Sequence, residues 1–185
     1  MPANASPPLP SDHGPSNTVS RAGINRARSA GRLAAVQALY TLAQSEATAD
    51  EVLRDFVSGR LGGVAISENV DTGQETYIEL PEGDAELLVD LVRCAQARGD
   101  EIGRIIAASL SAGWPAERLE VLVRCVLSAG IAELMCRPDI PPRATVSEFV
   151  DVAKAFYSGA EPGMVNAVLD RAARALDRMP APPAP

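Results

Sequence analysis

Apolar residues recur at helical spacing along most of the chain, and Gly- or Pro-rich breakers separate the segments that show this pattern. Only "TYIEL", residues 76–80, has strand character, and there is no internal repeat. The pattern predicts an all-α bundle of about seven helices. The predicted helices cover about residues 25–44, 49–58, 84–97, 100–109, 114–135, 145–157 and 161–177.

Two of the helix starts carry specific signals. Pro115 suits the first turn of the longest apolar helix, because its missing N–H would have no partner there in any case. Thr145 precedes the next helix and Glu148 follows three residues later, which is the spacing of a capping box. We therefore expect helices to begin at these two positions.

Both ends of the chain and one internal stretch interrupt the helical pattern. Residues 1–24 are rich in Pro, Ser, Asn and Gly and bury too little apolar surface to offset the entropy of ordering. We expect a disordered tail there and a second one at residues 179–185. Residues 60–83 are acidic and Gly-rich and predict a long loop. The length of the remaining chain, residues 25–178, is that of a single domain.

Charge is unevenly spread along this acidic chain. The net charge is −7, yet residues 13–45 contain four arginines and no carboxylate, whereas residues 46–90 contain twelve acidic residues. Arginines at the start of a helix oppose its macrodipole, and these have no acidic neighbour in the sequence to pair with. The cluster favours an anionic partner, because the guanidinium fork suits phosphates and base edges.

Tyr40 lies on the same predicted helix as these arginines. At 100° per residue it shares an apolar stripe with Leu33 and Val36. The stripe leaves two interpretations open. Tyr40 is either a core aromatic residue or a ring at the edge of the stripe that stacks on an unpaired RNA base.

Catalytic, metal and membrane sites are not predicted. His13, the only histidine, lies in the predicted tail, and no apolar run reaches the roughly 20 residues of a membrane span. The N-terminus lacks the apolar segment of a secretory signal. Cys94, Cys125 and Cys136 are widely spaced and form no CxxC motif, so we expect three buried thiols in a reducing cytoplasm.

Three stretches together resemble one family. "RARSAGRLAAVQALY", residues 26–40, resembles the opening helix of the bacterial transcription antitermination NusB family. The stretch that begins "WPAERLEV" and ends "AKAF", residues 114–156, resembles the central block of that family. "MVNAVLDRAAR" resembles its closing helix. The resemblance covers about residues 25–44 and 84–178, in the family's order.

The resemblance implies an all-α fold of two small helical bundles, with no enzyme activity, cofactor or metal. It implies binding to the single-stranded boxA element of nascent ribosomal-operon RNA, as a heterodimer with NusE, a protein of the small ribosomal subunit. It further implies that the complex helps RNA polymerase, within the transcription elongation complex, to resist termination. Some family members self-associate, so the resemblance leaves a homodimer open.

The resemblance also suggests which residues contact RNA. Two arginines match basic positions of the family's opening helix, and a Gln and a Tyr match its Val-Gln-Ala-Leu-Tyr signature. A methionine stands where the family usually has an RNA-facing phenylalanine. The expected RNA-binding set is Arg26, Arg28, Arg32, Gln37, Tyr40 and Met164.

Departures from the family pattern keep two alternatives open. Ser29 and Ala30 stand where many relatives have consecutive arginines, and Met164 cannot stack as a phenyl ring does. These changes predict weaker RNA contacts, or a pure protein-interaction module that has lost RNA binding. The other alternative is an accessory RNA-binding domain related to ribosomal RNA cytosine methyltransferases. Such an enzyme needs a further Rossmann-like domain, and the length of this chain argues against it.

Overall fold

The computed structural model describes residues 21–59, 64–68, 75–79, 83–111 and 114–180. These residues form seven α-helices, a short 3₁₀ helix at Ala116–Arg118 and one two-stranded sheet, which confirms the predicted all-α class. The helices are α1 (Arg21–Gln44), α2 (Ala49–Val57), α3 (Ala85–Ala97), α4 (Gly99–Ser109), α5 (Val121–Cys136), α6 (Pro142–Phe156) and α7 (Glu161–Ala175). The strands are β1 (Val64–Glu68) and β2 (Glu75–Glu79).

Helix α5 is the centre of the fold. It packs against five other helices, α1, α3, α4, α6 and α7. Its residues are apolar almost all round, which is the pattern of a helix enclosed by others. At Gly130, an added Cβ would lie 2.8 Å from a methyl carbon of Leu169 and 3.3 Å from the Phe149 ring. Glycine therefore lets α5 approach α6 and α7 closely.

Helix α1 passes equally close to the start of α3. A Cβ added at Gly31 would lie 2.8 Å from the backbone oxygen of Asp84. The Asp84 amide donates to the Ala27 carbonyl at 2.9 Å, and the Asp84 carboxylate caps α3 by accepting from the Leu87 amide at 3.0 Å. This contact fixes the position of α1 on the bundle.

Several predicted helix boundaries are wrong, and each has a local cause. Helix α1 already begins at Arg21, so the last residues of the predicted tail are helical, while residues 1–20 and 181–185 lie outside the described residues. Helix α6 begins at Pro142, which suits a first turn, and Thr145 is therefore inside the helix instead of capping it. Helix α5 begins at Val121, because the chain is extended at Leu119 and buries that side chain.

The predicted loop contains a β-hairpin. Strands β1 and β2 pair antiparallel, with Val64 opposite Glu79 and Glu68 opposite Glu75. In the sequence, only the second strand has clear strand character, because "ETYIE" adds the aromatic Tyr77 to its two β-branched residues, whereas "VAISE" has two β-branched residues and no aromatic residue. Apart from the hairpin strands and Gly83, the 60–83 stretch lies outside the described residues.

Two of the three cysteines form a disulfide, contrary to the prediction of three free thiols. Cys94 on α3 and Cys136 at the end of α5 are bonded, with their Cα atoms 6.5 Å apart. The packing of α3 on α5 brings together residues that are 42 positions apart in the sequence. Cys125 is the free cysteine, and burial raises the pKa of its thiol to about 11.

None of the described helices combines the length and the apolar character that crossing a membrane would require.

Candidate nucleic-acid interface

Helix α1 has a buried side and an outward side. Val36, Ala38 and Leu39 on its buried side belong to the core. At 100° per residue, Arg26, Gln37 and Tyr40 fall within one arc away from the core and span about 21 Å of helix. We call these three residues the outer face of α1.

The outer face consists of accessible polar and aromatic groups. Arg26 is exposed, and its Nε donates to the Ala22 carbonyl of the preceding turn at 3.4 Å. Gln37 is half-buried, and the Tyr40 side chain is 41% exposed. The exposure of Tyr40 excludes one of the two interpretations left open by the sequence, because a ring this accessible is not a core aromatic residue. A cation, an amide and a ring in one row are groups that contact phosphate, base edge and base face.

Arg28 points away from this face. It lies about 160° around the helix from Arg26, next to the start of α3 and the turn after α5. Its guanidinium is 4.0 Å from a carboxylate oxygen of both Asp84 and Asp139, and its side chain is 35% exposed. A hydrogen bond from Arg137 holds the pKa of Asp139 below its ordinary value, so this carboxylate stays charged beside Arg28. The predicted arginine cluster is thus divided between two sides of the helix.

Arg32 is buried, which contradicts its expected role in RNA contact. Its side chain is only 4% exposed and pairs with the fully buried Glu133 of α5. The Nε donates to one carboxylate oxygen at 2.8 Å and the Nη2 donates to the other at 3.0 Å. The Nη1 donates to Glu148 of α6 at 3.2 Å. Arg32 therefore joins three helices and is not available to an external anion.

The remaining hydrogen bonds of this buried network come from hydroxyl groups. Thr145 Oγ1 donates to Glu133 at 2.7 Å, and Ser29 Oγ donates to Glu148 at 2.5 Å. Helices α5 and α6 thus supply the carboxylates that are missing from the local sequence around Arg32. Arg28 and Arg32 therefore both have acidic partners, although none is near them in the sequence.

Met164 is also buried, in the first turn of α7. Its side chain is therefore not accessible to RNA, contrary to the prediction. A different aromatic residue, Phe156, is exposed instead: it is the last residue of α6, and its exposed fraction is 42%. No signal in the sequence distinguished it, because a phenylalanine in an amphipathic helix normally belongs to the core. Among the described residues, no group of three or more His, Cys, Asp or Glu side chains could hold a metal ion.

Comparison with known proteins reveals extensive similarity. The profile of the NusB family matches residues 29–174. The transcription antitermination protein NusB of Rhodospirillum rubrum is 52% identical over 162 residues, which cover 83% of this chain and 86% of that protein. The protein of the same name from Sphingopyxis alaskensis is 41% identical over 145 residues, which cover 78% of this chain and 91% of that protein.

Solved structures share the fold. A chain from a crystal structure of antitermination factors NusB and NusE in complex with dsRNA superposes with a TM-score of 0.60 at 25% identity, over 81% of this chain and 98% of that chain. T. maritima NusB gives a TM-score of 0.60 at 23% identity, over 80% of this chain and 90% of that chain.

Proposed function

This chain belongs to the NusB family, and on that basis we propose that it is a transcription antitermination factor that binds RNA together with NusE. The observation that carries the proposal is the 52% identity to an antitermination protein along 83% of the chain. The NusB–NusE–dsRNA crystal structure supports the two partners, because one of its chains has the same fold at 25% identity.

The same relationship supports the finer assignments that the sequence suggested. The RNA is the boxA element of ribosomal operons, and the target is the transcription elongation complex in the cytoplasm. The protein acts by binding and has no catalytic activity. Its net charge of −7 suits a basic ribosomal protein as partner and discourages unspecific binding to other polyanions.

We place the RNA on the outer face of α1. Arg26 binds a phosphate, Gln37 binds a base edge, and Tyr40 stacks on an unpaired base. Arg28 is left out of this surface, because it lies about 160° around α1 from Arg26, with its guanidinium 4.0 Å from carboxylate oxygens of Asp84 and Asp139. Arg32 and Met164 are left out of the surface, since both are buried. A homodimer that covers the outer face of α1 would compete with RNA.

Fluorescence anisotropy with a short boxA RNA and a scrambled RNA tests the proposal, across salt concentrations and with and without NusE. We expect selective binding, and Tyr40→Ala should weaken it by about 5–100-fold. Arg26→Ala should also lower the slope of log affinity against log salt by about 0.7, the value for one phosphate contact to a single strand.

Arg104→Ala is the matched control. Arg104 is exposed on α4, and its Nε donates to the carbonyl four residues before it at 3.3 Å, as that of Arg26 does at 3.4 Å. This variant should bind RNA like the wild type. Equal affinity for both RNAs, even with NusE present, would contradict the proposal and favour the protein-only module.

A further inference from the structure

We infer that the Cys94–Cys136 disulfide is a reversible redox switch that controls how firmly the first turns of α1 are held, and thereby the affinity of the outer face of α1 for RNA. The inference rests on the proposed function, because a transcription factor works in the cytoplasm, where thiols are kept reduced. Disulfides that do form in that compartment are usually transient and are catalytic or redox-sensing. Since this protein acts by binding, redox sensing is the role that fits a bond between two of its packed helices.

The two sulfur atoms are accessible to different degrees. Cys136, the last residue of α5, is half-buried, whereas Cys94 on α3 is only 7% exposed. A small thiol or disulfide therefore reaches the bond from the side of Cys136. The Cys94 sulfur lies 3.6 Å from the carbonyl oxygen of Ala132, so its thiol has a hydrogen-bond acceptor when the bond is reduced. Both redox states are thus compatible with the packing of α3 on α5.

The oxidant is glutathione disulfide, GSSG, and the reaction consists of two thiol–disulfide exchanges. The Cys136 thiolate attacks one sulfur of GSSG, and the first glutathione leaves as a thiolate. The Cys94 thiolate then attacks the Cys136 sulfur of the mixed disulfide, and the second glutathione leaves. Two electrons pass from the protein to GSSG, and the two protons of the cysteine thiols end on the two molecules of reduced glutathione, GSH. Reduction of the bond is the reverse reaction, with two molecules of GSH as the reductant.

The disulfide is the strong tie between α3 and the end of α5. Besides the packing of apolar side chains, the ion pair of Arg137 with Asp90 of α3 also joins them, at 3.1 Å. The Asp90 side chain is 42% exposed, and ion pairs this accessible to solvent contribute little to stability. Reduction of the bond therefore leaves the turn after α5 freer to move against α3.

The same two elements hold the first turns of α1. The Arg28 guanidinium lies 4.0 Å from Asp84 at the start of α3 and 4.0 Å from Asp139 after α5. The Asp84 amide also donates to the Ala27 carbonyl at 2.9 Å. Arg26, the proposed phosphate-binding residue, directly precedes Ala27. A shift between α3 and the end of α5 therefore loosens the part of α1 that carries Arg26 and lowers the affinity for RNA.

The first experiment measures the redox equilibrium without RNA. The full-length protein is equilibrated in mixtures of GSH and GSSG, its free thiols are alkylated, and mass spectrometry counts them. Two thiols in a flexible chain have an effective concentration of about 1 mM, and folding raises this value about 10³-fold for a loop of this size. We therefore expect half-oxidation where the squared GSH concentration divided by the GSSG concentration is about 1 M.

Two results of this titration would overturn the inference. A bond that stays formed about a hundredfold above the expected quotient would be permanent, and thiols that stay free about a hundredfold below it would not form the bond in a cell. Cys125→Ala is the matched control, because it removes the free cysteine and keeps the pair. Its midpoint should equal that of the wild type.

Amide hydrogen exchange, followed by NMR, tests the coupling between the disulfide and α1. The Asp84 amide is the reporter, because its hydrogen bond to Ala27 joins the start of α3 to α1. We expect this amide to exchange about 5–150-fold faster in the reduced protein. The Tyr157 amide, which donates to Ala153 at the end of α6, should exchange equally in both forms. Circular dichroism establishes that both forms are folded, and an unchanged rate at Asp84 would overturn the inference.

Fluorescence anisotropy then compares the oxidised and reduced proteins with boxA and scrambled RNA in the presence of NusE. We expect reduction to weaken boxA binding by about 5–150-fold. The double variant Cys94→Ala/Cys136→Ala should bind equally in both buffers. A redox dependence of the same size in this variant would assign the effect to NusE and overturn the inference.

The remaining outcomes separate the inference from the proposed function. Equal affinity of the oxidised and reduced proteins for boxA, with selective binding, would overturn the inference and leave the proposed function intact. If the affinity changes with redox state but boxA and scrambled RNA bind equally, the inference stands and the proposed function fails. If neither form binds RNA, both are wrong.

Discussion

Replacement of Arg32 by methionine should destabilise the fold although Arg32 lies in a stretch of sequence that resembles an RNA-binding helix. Three hydrogen bonds satisfy the buried Glu133 carboxylate, two from Arg32 and one from Thr145. Arg32→Met removes two of them. At about 1.5–3 kcal/mol for each hydrogen bond to a charged group, the loss is about 3–6 kcal/mol. This range agrees with the 3–5 kcal/mol lost when one partner of a buried ion pair is removed.

Urea unfolding, followed by circular dichroism at 222 nm, measures this loss and the coupling between the two residues. The double variant Arg32→Met/Glu133→Met should recover most of the stability, because it leaves no unpaired buried charge. Arg28→Met is the control and should cost about 0–1 kcal/mol, since its ion pairs are long and partly exposed. A loss of less than about 1 kcal/mol in Arg32→Met, or a double variant no more stable than the single variant, would show that Arg32 is not needed to satisfy the buried Glu133.

Three further predictions concern backbone packing and the cysteines. Gly31→Ala should lower the free energy of unfolding by about 1–3 kcal/mol, because the added Cβ would lie 2.8 Å from the backbone oxygen of Asp84. An unchanged melting temperature would contradict this prediction. The Cys94–Cys136 disulfide joins residues 42 positions apart, and its reduction should lower the free energy of unfolding by about 4 kcal/mol. Equal urea midpoints with and without dithiothreitol would argue against the bond. Burial in the folded state raises the pKa of the Cys125 thiol to about 11, so the free energy of unfolding should fall as the pH rises from about 9 to 11. Iodoacetamide should modify this thiol at pH 8 only after the protein is unfolded, and mass spectrometry can detect the modification.

The helices were predictable because their apolar spacing is local. The breakers around α2, α4 and α7 are strong, and the predicted bounds of these helices agree with the structure within about two residues. The start of α6 was missed because the capping-box spacing at Thr145 competes with Pro142, and proline determines the first turn. The bend before α5 depends on the burial of Leu119, which the local pattern does not reveal.

The site was less predictable, because its decisive contacts join distant parts of the chain. Arg32 and Glu133 are 101 positions apart, and only the packing of α1 on α5 shows that they pair. The exposure of Tyr40 likewise depends on which neighbours cover the edge of the stripe. The disulfide was missed because the expectation of a reducing environment favours free thiols. In addition, Cys94 and Cys136 are 42 positions apart in the sequence.

Photo-crosslinking can establish whether RNA binds along the outer face of α1. A boxA RNA that carries 4-thiouridine is irradiated with the protein in the presence of NusE, and mass spectrometry maps the crosslinked residues. We expect crosslinks in the tryptic peptide 33–54, at Tyr40, and fewer of them with the scrambled RNA. Crosslinks confined to α3 and α4, with residues 33–54 unmodified, would contradict it.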